Sequence, residues 1–570
     1  IGTGELTVHA SAGEVADAIR KSLRVVPPGR PESFSVNGTL GAGAETMTVR
    51  IPEDAVDGSV DVRMKLYPST FSELLDGLEG IFRQPYGCFE QTSSATYPNV
   101  MALAYMRTND LDNPEVRAKA TRYVQMGYQR LLSFEVADGG FSLFGQAPAR
   151  LTLTAYGMAQ FTDMAKVYPV DPGLLERVSD WLAEQQDSDG SWSGALPMSH
   201  YPVVRDRHIA PTAYVTWALG SYDSSNPAAV RGARYVASHI DEVRDPHTLA
   251  ICVLALLSVD GQSAEAIAAA RRLAEMGVRG KTGEWVWTSS GTSMTFGSGR
   301  YADVETTALA AMALFRAGVE TRQAHGALNW LVSNRSPRGG WGTTQSTVLA
   351  LKALLAGAGS PQRRSEPAVL SVVLDDAPEG AGRLGQVEIR PEQSDVVHTL
   401  PLGRLDAAGA YRLRLSPDRA EGIGYQIVIN YRTLRPPARP KADGSLTITA
   451  DYDRTRLEVG GTVRVHVEIA NNGGTAVVMP LADVGTPPGF AVRPAGLDKA
   501  VADGRIERYS ITARGVILYL DNLQPGQRVE IDYEMVARMP LRAVSAPTRV
   551  YAYYDPQTQA ATSAVRFTVE

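Results

Sequence analysis

One unit recurs through residues 69–360, and it limits the folds open to that stretch. A glycine-led aromatic, or a nearby tryptophan, precedes an apolar helix rich in threonine. Asp138-Gly139-Gly140-Phe141 comes before Leu153-Thr154-Ala155-Tyr156, and Asp189-Gly190-Ser191-Trp192 before Pro211-Thr212-Ala213-Tyr214. Gly283-Glu284-Trp285 leads to Glu305-Thr306-Thr307-Ala308, and Gly339-Gly340-Trp341-Gly342 to Gln345-Ser346-Thr347-Val348. The helical stretches after Cys88 and around Thr248 bring the set to six. Amphipathic segments run between them: Pro114–Leu132, Leu174–Gln185, Pro227–His239 and Ser263–Met276. A buried helix is apolar on every side, whereas a covering helix is apolar on one. Six inner helices alternating with outer ones therefore give an α/α toroid, an array whose general sign is repetition at tens of residues. The fold alone does not assign an activity. Toroid enzymes use an acidic cluster or zinc, and here Asp-Asp occurs once, at Asp375-Asp376, outside the repeats.

The flanks read as β. Glu5–Ala10, Glu32–Leu40, Glu45–Ile51 and Ser59–Tyr67 alternate apolar and polar residues before the toroid. Glu14–Leu23 fits either a short helix or an irregular strand, and Pro27-Pro28-Gly29 reads as a domain joint. Strands return after the toroid at Ala368–Leu374, Gly385–Ile389, Ala410–Leu415 and Tyr425–Tyr431. Strands on both sides of a helical block suggest one sheet domain, residues 28–68 plus 361–440, with the toroid inserted in it. Arg435–Pro440 reads as a stiff linker. Beyond it, 441–570 carries alternating strands expected to form a sandwich.

A net charge of −6 argues against nucleic acid as a partner. The longest apolar run, Thr248–Val259, is too short for a membrane span. Two cysteines cannot build a disulfide framework. Cys252, on an apolar helix face, reads as a small buried hydrophobe, and neither cysteine has the neighbours of a zinc site.

Cys88 has a different setting, Gln84-Pro85-Tyr86-Gly87-Cys88-Phe89-Glu90-Gln91. A thiol three residues ahead of a carboxamide can attack it, expel ammonia and leave an internal thioester, a stored acyl donor. Pro85 and Gly87 permit the tight bend this needs.

This segment resembles the thioester site of the α2-macroglobulin and complement family, whose signature is P-x-G-C-x-E-Q. Pro85, Gly87, Cys88, Glu90 and Gln91 occupy its fixed places; Phe89 departs from the usual glycine or leucine, outside the bonded pair. The resemblance extends over the chain. It implies that 1–27 ends a preceding macroglobulin β domain, that 28–68 and 361–440 form a CUB-like domain, and that 69–360 is the thioester domain. Residues 441–570 would then be the C-terminal receptor-binding-type macroglobulin domain.

The same likeness assigns roles. Cys88 is the leaving thiolate, Gln91 the acyl donor, and His200 a relay that takes the acyl group before a hydroxyl does, with His208 as its competitor. Glu90 reads as a structural hydrogen-bonding residue. A thioester must be kept from water, and Tyr86, Phe89, Tyr551, Tyr553 and Tyr554 are the shielding candidates. No cofactor or metal is expected beyond the internal cross-link. The implied function is a bacterial-type protease trap, a single-use inhibitor rather than an enzyme, whose Gln91 acylates protease lysines after a bait elsewhere is cut. The alternative is a complement-like surface tag acylating hydroxyls through His200. A toroid enzyme bearing the motif by accident is a third reading, with a free thiol. The expected setting is periplasmic or secreted, with upstream macroglobulin domains and any signal or lipid anchor lying before Ile1.

Overall fold

A computed structural model describes the chain except residues 1, 14, 70–71, 73–86, 109–113, 138, 194–207, 281–282, 290–298, 338–339, 358–365, 376–381, 395, 404, 435–443, 554 and 556–557. Tyr86, His200, Tyr554 and the Arg435–Pro440 linker lie outside the described residues.

The fold class expected from the sequence is the one observed: a helical toroid set into a split β domain, then a C-terminal β domain. Six inner helices, Phe89–Thr108, Leu151–Ala165, Ile209–Tyr222, Pro246–Val259, Arg300–Ala317 and Thr344–Gly357, form the ring. Each packs on the next, and the last closes on the first. Capping residues set several starts. Asp171 and Asn226 accept first-turn amides just before Pro172 and Pro227, and Asp245 does so before Pro246. A side-chain acceptor followed by proline fixes a helix start, because the first-turn amides lack helical partners and proline has none to lose.

The recurring unit has a hydrogen-bonded cause. The backbone N–H of Phe141 donates to Thr154 Oγ1 at 2.9 Å, and that of Trp192 to Thr212 Oγ1 at 2.9 Å. Trp287 repeats the bond to Thr307 and Trp341 to Thr347, each at 3.1 Å. The indole N–H of Trp192, Trp287 and Trp341 each reaches an outer-helix carbonyl, Leu182, Leu273 and Leu331, at 2.7 Å. One aromatic thus ties an inner helix to an outer one, and the buried polar groups are satisfied. In the unit before the inner helix Arg300–Ala317 that aromatic is Trp287, not the expected Trp285. Two tryptophans stand two residues apart there, and the bonds to Thr307 and Leu273 single out Trp287. Trp285 instead lies where a side chain on Gly326 would have to sit.

The split domain is a pair of four-stranded sheets. One runs His398–Pro401, Asp61–Tyr67, Gly424–Thr433, Arg30–Thr39; the other runs Glu45–Ile51, Gly409–Asp418, Ala368–Leu374, Arg383–Ile389. Both draw strands from before and after the toroid, around a shared core that includes Met64, Leu66, Leu370 and Ile427. The toroid is held to this domain by Asn37, whose amide donates to the Arg335 carbonyl at 2.8 Å, and by the Arg335 guanidinium over the Tyr67 ring.

Residues 2–25 form an antiparallel hairpin, Gly2–Ala12 with Val15–Val25. The ambiguous segment after residue 13 is thus a regular strand. Its Val15, Ile19 and Leu23 are spaced as on a helix face, yet pairing along the whole of the first strand settles the conformation.

In the C-terminal domain the larger sheets have four and five strands, closed on a core that includes Val465, Ile531, Leu518 and Phe567. This domain docks on the toroid. Val478 and Met479 enter the toroid's hydrophobic core, the rings of Phe144 and Tyr519 meet edge to face at 5.5 Å, and Arg150 pairs with Asp521.

Candidate functional site

The first inner helix starts at Phe89, so Cys88 stands at its mouth and Gln91 in its first turn. The Thr92 N–H closes the first helical bond on the Cys88 carbonyl at 2.9 Å. Phe89 N–H is taken by the Leu143 carbonyl, also at 2.9 Å, which anchors the helix start to the neighbouring unit.

The Gln91 side chain turns back on this start. Its Oε1 accepts from the Cys88 backbone N–H at 3.0 Å, bringing the carboxamide onto the residue that carries the thiol. Gly87 makes room. It has φ +79°, and a Cβ there would lie 1.7 Å from Gln91 Oε1 and 2.6 Å from Cδ. Both the left-handed backbone and the missing side chain are therefore required.

Cys88 is fully buried and its thiol takes no part in a disulfide. Burial pushes this thiol up to about 12, with the Glu90 carboxylate adding to the effect; amides at the helix start pull the other way without offsetting it. At neutral pH the group is a protonated thiol, so its chemistry depends on placement against an electrophile rather than on standing thiolate.

Arg130, on the outer helix Pro114–Leu132, completes the surroundings. Its Nη2 donates to the Gly87 carbonyl at 2.7 Å and its Nε to Thr92 Oγ1 at 3.2 Å. It thus grips the turn on both sides of Cys88. Sequence reasoning missed it: a basic residue in a helix's last turn normally complements the helix dipole, and 43 residues separate it from Gly87.

The site is enclosed by aromatics. Phe89 is fully buried and lies 5.1 Å from the Phe141 ring, 6.0 Å from Phe134 and 6.4 Å from Tyr156. Tyr553, from the C-terminal domain, packs against the toroid core together with Met479. Tyr551 lies on a strand paired with Leu481, with the Arg549 guanidinium 5.2 Å above its ring. His208 is exposed and stands before the inner helix Ile209–Tyr222, its carbonyl accepting from the Thr212 hydroxyl. Cys252 is buried in the middle of its helix, as expected for a small hydrophobe.

Comparison with known proteins bears on the domains that hold this turn. A family model described as the A-macroglobulin TED domain matches residues 60–356, and one described as the A-macroglobulin receptor binding domain matches 475–564. Thioester-containing protein 1 of Anopheles gambiae, allele S1, is 26% identical over 379 residues, which is 63% of this chain and 27% of that protein. Allele R1 is 25% identical over 378 residues, with the same shares. The chain therefore spans about a quarter of these relatives' length. Native alpha-2-macroglobulin from Escherichia coli, spanning domain MG7 to the C-terminus, superposes with a TM-score of 0.68 at 16% identity, over 100% of this chain and 88% of that one. Salmonella alpha-2-macroglobulin reacted with methylamine gives 0.69 at 16% identity, over 100% of this chain and 36% of that one. At such identities the two superpositions establish the fold.

Proposed function

Because the chain belongs to the A-macroglobulin family, we propose that Cys88 and Gln91 close into an internal thioester, and that Gln91 then acylates lysine amines of target proteases. The observation that carries this reading is the Gln91 carboxamide folded onto the Cys88 N–H over a side-chain-free Gly87. That N–H points at the carbonyl oxygen on which negative charge develops, both when the thiol attacks and when an amine does. Ammonia leaves in the first step. In the second, the amine nitrogen bonds to Gln91 Cδ and the Cδ–Sγ bond breaks toward sulfur. Full burial of Cys88 and the Phe89 aromatic cluster support storage of the bond away from water.

Cleavage of a bait and rearrangement of the whole protein are part of the proposal and involve regions beyond this chain. Envelope or secreted location follows the same reading. The test is incorporation of labelled methylamine, mapped by peptide mass, with glycerol as the hydroxyl competitor. Methylamine on Gln91 with a freed Cys88 thiol is the expected result. Glycerol uptake of equal extent, lost in His200→Ala, would move the function to surface tagging. Absence of either adduct on a chain that still carries glutamine at 91 would end the thioester reading.

A further inference from the structure

The grip of Arg130 on the turn has a chemical consequence. Thioester cleavage leaves a thiolate on Cys88, in a place where burial makes that charge costly. The one guanidinium described in contact with this turn bonds Gly87 O on one side of Cys88 and Thr92 Oγ1 on the other. Its planar fork suits two fixed acceptors at once, which a lysine ammonium cannot span in the same way. The Phe134 ring lies under it, 5.7 Å from the guanidinium carbon.

We propose that Arg130 is a positioning residue for the thioester, holding the Gly87–Thr92 turn closed and stabilising the Cys88 thiolate as it departs. This rests on the thioester reading above. In the acyl-transfer step the amine bonds to Gln91 Cδ, the Cδ–Sγ electron pair moves to sulfur within the turn that Arg130 brackets, and the amine's proton passes to solvent. Burial first, then the nearby Arg508 of the C-terminal domain, lower the hold of Arg130 on its proton, while a Cys88 thiolate and Tyr519 act the other way. Arg508 thus brings a second cation to the interface, and docking of that domain bears on the same charge.

The experiment compares wild type, Arg130→Met and Arg130→Lys. Three things are read: the fraction carrying the thioester, the methylamine rate, and the pH profile of Cys88 alkylation after methylamine treatment. Cys88→Ala serves as the blank for Cys252. Arg130→Met should slow thiol release by roughly tenfold or more and shift the alkylation profile up by about one to three pH units, as expected for loss of an adjacent opposite charge. Arg130→Lys should keep the profile within about half a unit of wild type, because it keeps the charge. It should lose its thioester to hydrolysis faster, because the two-sided grip is gone. A merely structural arginine would make both variants fail alike and leave the profile unmoved. A wild-type rate and profile in Arg130→Met would overturn the proposal. Should wild type carry no thioester, that reading falls alone: the alkylation profiles of the three free thiols still decide whether Arg130 stabilises the thiolate.

Discussion

Cys88 and Cys252 are both fully buried in one ring, yet their surroundings differ: one precedes an inner helix and the other lies within one. Cys252 sits in mid-helix between Ile251 and Val253, surrounded by the toroid's apolar core. Cys88 sits at a helix mouth, where a carboxamide is folded onto its own N–H and an arginine brackets the turn. Burial alone makes a thiol inert. The difference lies in which polar groups burial brings within reach.

The comparison breaks most completely at Gly87. Gly87→Ala puts a methyl onto the Gln91 carboxamide and forces a left-handed alanine. Methylamine uptake should fall to background, while the melting transition drops by only about 1–2 kcal/mol. Uptake at the wild-type level would show that the folded-back Gln91 is not the reactive geometry.

The helix of Cys252 should respond to acid rather than to amines. It carries His247, buried and held near 4, first by burial, with Asp245 acting the other way. The folded state thus takes up this proton less readily than the unfolded chain, whose histidine titrates near 6.5. Stability is fully present above the unfolded value and is lost as pH falls from there toward the folded one. The loss should approach 3 kcal/mol, on the order of the difference between the two values. His247→Gln should flatten this slope in urea melts and leave methylamine uptake unchanged. An unaltered slope would remove the buried imidazole as its cause.

A smaller effect is expected at the domain contact. Arg150→Ala removes the pair with Asp521 and loosens the docking that includes Tyr553 and Met479. Spontaneous hydrolysis at Gln91 should rise several-fold, on the order of the 1 kcal/mol that such a pair contributes. An unchanged hydrolysis rate would take the C-terminal domain out of the shield. Smallest of all, Cys252→Ala should cost about 1 kcal/mol in a melt and leave thiol release from Cys88 intact.

Much of this was legible in residues. The repeat showed itself because each unit needs a glycine turn, an aromatic and a threonine, and the structure turns that pattern into bonds such as Trp192 N–H to Thr212. The closeness of Gln91 to Cys88 was legible because three residues separate them, and the structure gives it as the bond from Cys88 N–H to Gln91 Oε1. What escaped is non-local. Arg130 reaches Gly87 from another helix, Met479 and Tyr519 arrive from another domain, and Trp285 and Trp287 look alike until a hydrogen bond chooses between them. The hairpin's second strand escaped because its apolar spacing is helical, while its conformation is set by its partner.

The most direct test of the thioester is the intact mass of the untreated chain together with its thiol count under denaturing conditions. The expected result is a mass short by one ammonia and a single titratable thiol, Cys252, with the deficit absent in Cys88→Ala. A full mass, two titratable thiols and glutamine at position 91 would contradict it.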